Sequence, residues 1–132
     1  MNAAAQTFAL IEALIYIGVF PLESFLLGRP FAQRFLSTPA ADVPAVMMWA
    51  FNVGFRNLFL GLGVITGVVL LNTGREAAGT TLVIFCCVNM VLSAWLMGVS
   101  DLLGHYPERG ASVPGTLAAS VPALIALIAA AF

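Results

Sequence analysis

The sequence predicts an all-α, polytopic membrane protein: four transmembrane helices in a bundle, with a short interfacial helix between spans one and two. Three observations carry this. Of the 132 residues, 61% are hydrophobic and only 8% are charged, where a soluble domain carries about 25%, and the mean hydropathy is +1.04. Four long apolar runs, separated by short polar segments, use nearly the whole chain as a single transmembrane domain. The intramembrane polar groups are concentrated, above all in Asn52-Val53-Gly54-Phe55-Arg56-Asn57-Leu58-Phe59-Leu60-Gly61-Leu62-Gly63. An arginine and two amides inside a span must face protein, a cavity or a ligand.

Span one is expected over about 7–27, roughly 21 residues or about 31 Å of helix. Met1 to Gln6 lacks the basic residues of a signal peptide, so this run is read as a retained span. Glu12, Tyr16 and Glu23 fall on one face of a straight helix. Pro21 removes one backbone bond and predicts a kink there. Gly28-Arg29-Pro30 ends the span. Phe31 to Leu36, with Phe31 and Phe35 one turn apart and Arg29 and Arg34 flanking, reads as the interfacial helix.

Span two, about 45–71, is long enough to require tilt. Asn52 and Arg56 share one face, and Asn57 lies on another with Gly54 and Gly61. Gly63 and Gly67 form a small-xxx-small pair that permits close approach of another helix. A tight turn holding Gly74, Arg75 and Glu76 leads into span three, about 80–99, which contains Asn89, Ser93 and Trp95. Span four, about 114–132, contains Pro122 and an alanine-rich tail. Arg29, Arg34 and Arg109 lie on one side and Arg75 on the other, so the positive-inside rule places both termini outside.

Depth along antiparallel spans one and two puts Glu23 about 6 Å, Arg56 about 16 Å and Glu12 about 22 Å from the same side. An unpaired mid-span arginine costs about 2.5–3.5 kcal/mol, so Arg56 is expected to hold a bidentate carboxylate, Glu23 first. Asn52, Asn57, Asn89 and Tyr16 complete the expected network. Two readings stay open: a structural network that fixes helix register, or a polar site for a proton, ion or small ligand.

Other classes fare worse. The net charge is −1 and there is no lysine, so the chain has no basic patch for nucleic acid. Cys86 and Cys87 are neighbours pointing about 100° apart and should not bridge. Asp101 and His105 form a weaker polar cluster with Ser100, but no nucleophile elbow accompanies it. A single histidine argues against a metal set, and no cofactor motif is present. Trp49, Trp95 and Tyr106 read as interface anchors or packing.

Leu22-Glu23-Ser24-Phe25, Phe35, and Asn52-Val53-Gly54-Phe55-Arg56-Asn57 with Phe59-Leu60 and Gly63 resemble a bacterial family catalogued as domain-of-unknown-function family number 1304. Its members are of about this length with four expected spans. Its first box reads Leu-Glu-Met-Phe and its second Asn-Gln-Gly-hydrophobic-Tyr-Asn. Ser120-Val121-Pro122-Ala123 is similar to its Gln-Gly-Leu-Pro-Ala stretch. Glu23, Asn52, Gly54 and Asn57 match position for position, whereas histidine is common where this chain has Tyr16, and tyrosine where it has Arg56. The resemblance covers most of the chain and implies the fold and a bacterial inner-membrane location. It brings no reaction or substrate.

The expected function is therefore proton, ion or small-ligand binding or transport between spans one and two, without catalysis. Four short spans favour a homodimer, with the Gly63–Gly67 face as contact. The alternative is an accessory subunit of a larger membrane complex.

Overall fold

The computed structural model describes all 132 residues and contains six helices and no strand. Helix α1 spans Ala3–Ser24, α2 Pro30–Phe35, α3 Val43–Asn72, α4 Glu76–Leu102, α5 Val113–Ala118 and α6 Val121–Ala130. α1, α3, α4 and the α5–α6 pair are the four segments long and apolar enough to cross a membrane. α1 packs on α3 and α6, and α4 packs on the same two, so the spans form a four-cornered bundle. The centre holds small and sulfur-bearing residues: Ala9, Ala13, Cys86, Cys87, Met90, Ala123 and Ala126, with Val64 and Val83. Bulky rings and Leu side chains face outward, as they must where lipid rather than water surrounds the helices.

Local chemistry explains the helix ends. Asn2 caps α1, its Oδ1 accepting from the Ala5 amide at 2.9 Å. Its Nδ2 reaches the Ala129 carbonyl at 2.6 Å and ties α1 to α6. The α1 helix continues through Pro21 to Ser24. α4 ends at Gly104, whose φ of +81° lets the His105 and Gly104 amides fold back on the Ser100 and Asp101 carbonyls. α2 is the interfacial helix, with Phe31, Arg34 and Phe35 exposed. Trp49 and Trp95 are exposed at the same end of the bundle.

Three expectations are corrected. Span four is not one helix. Pro122 has no N–H to give the Ala118 carbonyl, and the chain breaks between α5 and α6. The Gly63–Gly67 face is not free for a second copy, because α4 occupies it. A Cβ on Gly63 would lie 2.8 Å from Cys86 Sγ, and one on Gly67 would lie 3.0 Å from the Gly79 carbonyl oxygen. The third concerns register. Ser24 Oγ donates to the Phe51 carbonyl at 3.1 Å, so α1 ends level with Phe51. About 12 Å of α3, from Val43 to Phe51, therefore runs past the end of α1. Glu23 is then about 2 Å, Arg56 about 8 Å and Glu12 about 18 Å inside that end, so the distances shift while Arg56 keeps its expected depth between the two glutamates.

Candidate functional site

The side chains expected to form one network separate into distinct groups. Glu12, on the inner face of α1, is 0% exposed. Its Oε2 accepts from the Ala123 amide at 3.3 Å, while Oε1 has no hydrogen-bond partner. Ala123 lies in the first turn of α6, where backbone amides lack intrahelical acceptors and carry a partial positive charge. The break at Pro122 thus creates a helix N-terminus inside a span and aims it at a carboxylate. Such half-helix ends are a recurrent way of placing charge recognition within a membrane.

Tyr16 sits one turn further along α1 and is buried. Its hydroxyl donates to the Met90 carbonyl of α4 at 3.1 Å, so it joins neither Arg56 nor Glu23. The bond ties α1 to the opposite corner of the bundle.

Glu23, about 16 Å from Glu12 along α1, forms the second group. Its Oε2 accepts from Asn57 Nδ2 at 2.7 Å, and Asn57 Oδ1 accepts from Arg56 Nη2 at 3.5 Å. The expected bidentate Arg56–Glu23 pair is absent because Asn57, on the buried face of α3, stands between them. Arg56 itself points to the exposed face. Gly54 makes the approach possible. A Cβ there would strike Ser24 Oγ and come within 2.9 Å of the Phe20 carbonyl oxygen. Around this group Phe20, Phe25, Phe51 and Phe55 stack mainly edge to face, with Phe20–Phe55 centroids 4.9 Å apart.

Asn57→Leu should leave the Glu23 carboxylate without its donor and cost about 1–3 kcal/mol. Glu23→Gln keeps an acceptor for Asn57 Nδ2 and should cost less. Unfolding of the two variants in detergent checks this, and equal losses would mean that the contact is incidental.

The remaining sequence candidates make local contacts. Asn52 donates to Met48 of its own helix at 2.8 Å, and Asn89 accepts from Ser93 at 3.4 Å. The Asp101 carboxylate accepts from the Gly110 amide at 3.0 and 3.1 Å and from the Ser112 amide at 2.9 Å, pinning the loop that leads into α5. His105 lies beyond the end of α4, its Nδ1 3.3 Å from Ser100 Oγ. Burial pushes the Tyr106 phenol of this loop above its ordinary value, and the nearby Asp101 carboxylate adds to the effect. No three His, Cys, Asp or Glu side chains are grouped as metal ligands.

Sequence reasoning missed Ala123, because a backbone amide has no residue-type signature. Pro122 was the available signal. Proline at the second position of a helix leaves the next amide as a free donor.

A family model described as "Protein of unknown function (DUF1304)" matches residues 10–131. No curated protein and no solved structure matches the chain.

Proposed function

The chain belongs to this family of proteins of unknown function, and its four apolar helices are those of a multi-pass membrane protein; from that premise we propose that it binds and releases a proton at Glu12, between spans one and four, without catalysing a reaction. The single observation that carries the reading is the fully enclosed Glu12 carboxyl with one oxygen on the α6 amide and the other unpartnered. An ionisable group at such depth is costly and in membrane proteins marks proton and ion pathways.

The chemistry couples the proton to the broken span. As an anion, Glu12 has only acceptors, which suits the positive end of α6. As an acid, one oxygen becomes a donor and seeks a carbonyl. Pro122 leaves the Ala118 carbonyl without its usual intrahelical donor. Gain or loss of the proton therefore changes which end of the break Glu12 favours, and α5 and α6 can adjust about that break.

Infrared spectroscopy of the reconstituted protein tests this. A protonated-carboxyl band that titrates with pH and is missing in Glu12→Gln is expected, with exchange of the Ala123 amide following the same midpoint. A Glu12→Gln spectrum identical to the wild type at every pH would overturn the proposal. A purely structural role, as in an accessory subunit, predicts a non-titrating carboxyl whose replacement changes stability alone.

A further inference from the structure

Arg56 is the one arginine that lies well inside a span, away from the helix ends and loops that carry the others. A guanidinium has five N–H donors, and here it makes one long contact of 3.5 Å, to Asn57. The side chain lies on the exposed face of α3, beside an open groove of about 450 Å³ between α3 and α4. α1 and α6 pack on the other side of this helix pair, so the groove opens toward lipid.

The groove is polar at one end only. Asn52 and Arg56 stand one turn apart on α3, toward the end that carries Trp49. From there it descends past Phe59 to Gly63 and Cys86, about 16 Å deeper than Asn52, and on along Phe85 to Leu82. Missing side-chain bulk at Gly63 forms its floor. Asn52 spends its amide hydrogen on Met48, which leaves its Oδ1 as a free acceptor beside the guanidinium donors. A donor fork with an adjacent acceptor suits a carboxyl group in either protonation state.

We propose that this groove binds a single-chain hydrophobic carboxylic acid, with its carboxyl on Arg56 and Asn52 and its chain along Phe59, Leu82 and Phe85. A second copy of the protein is a poor occupant. The acidic residues other than the two engaged glutamates and the loop-bound Asp101 are Asp42, Glu76 and Glu108, all at helix ends or in loops, where none can meet Arg56. A bilayer phospholipid also fits less well. Two ester-linked chains hold its phosphate at headgroup level, whereas Arg56 lies about 8 Å inside the end of α1, within reach of a free acid that can slide along its own chain. This site is separate from Glu12, and neither proposal depends on the other.

The test is photocrosslinking of the reconstituted protein with a diazirine-bearing palmitic acid, mapped by mass spectrometry. Adducts are expected on the Phe55–Gly63 and Leu82–Cys86 segments. Arg56→Gln should lower them at least about tenfold, with Arg56→Lys intermediate. Unlabelled palmitate should compete and phosphatidylglycerol should not. Leu82→Trp, which fills the groove without touching the charge, should also abolish the adducts. Labelling unaffected by Arg56→Gln, or spread evenly around the lipid-facing helices, overturns the proposal. So does competition by phosphatidylglycerol as strong as that by palmitate, which would assign the groove to a membrane phospholipid. Disulfide crosslinking between two copies that carry Phe59→Cys would assign it to a second copy.

Discussion

Glu12→Ala is expected to destabilise the protein by about 2–5 kcal/mol, because it opens a cavity in the buried core and leaves the Ala123 amide without an acceptor. Both consequences follow from enclosure. The side chain is 0% exposed, so truncation leaves a void among its buried neighbours and removes the only acceptor the Ala123 amide has across the α1–α6 contact. Glu12→Gln should behave differently, since the amide oxygen can still accept from Ala123 and the volume is kept, so a loss within about 1 kcal/mol is expected. Thermal unfolding in mild detergent, read beside hydrogen exchange at Ala123, separates the two. Wild-type stability in Glu12→Ala would show that the carboxyl is not enclosed as described.

Gly67→Val should be at least as damaging, with a loss at or above the roughly 1–3 kcal/mol usual for overpacking. A Cβ on Gly67 would lie 2.6 Å from Val83 Cγ2, which could rotate, but also 3.0 Å from the Gly79 carbonyl oxygen, which belongs to a helix backbone. The reciprocal Cβ on Gly79 would lie 2.6 Å from the Gly67 carbonyl oxygen. Relief therefore requires α3 and α4 to separate, and the contacts of Val64 and Val83 would loosen with them. Gly18→Ala provides the contrast. Nothing lies within 4 Å of a Cβ there, so the better helix propensity of alanine should leave stability unchanged or raise it by up to about 1 kcal/mol. Comparing both variants in one unfolding series distinguishes steric conflict from helix propensity.

The four spans were legible because lipid imposes a composition on every residue that faces it, and the apolar runs were long. The interfacial helix was legible from Phe31, Phe35 and their flanking arginines. The register of α1 against α3 was not. Counting inward from loop ends assumes that both helices begin at the same level, and α3 begins about 12 Å beyond the end of α1. Gly54 and Ser24 set the true register by close approach, a property of two surfaces together. At the site the depth order held, and it was the facing of the side chains that differed. Arg56 and Glu23 were correctly brought to neighbouring positions, but Asn57 takes the carboxylate because its face of α3 turns inward while Arg56 turns out. Glu12 was recognised as an intramembrane carboxylate, yet its partner is main chain, and Pro122 alone hinted at it. Small residues at Gly63 and Gly67 announced a close helix contact without saying whether it lay within one chain or between two.

The Glu12–Ala123 contact also sets an order of events during synthesis. Its two residues are separated by 111 positions. At a translation rate of about 5–20 residues per second, the carboxyl waits roughly 6–20 s after emerging before its amide partner is made. During that interval span one carries an intramembrane acid with no α6 to receive it, and the Asn2–Ala129 tie is missing as well. The first span made can reach its final setting only after the last has inserted, so the bundle closes as a ring rather than growing helix by helix.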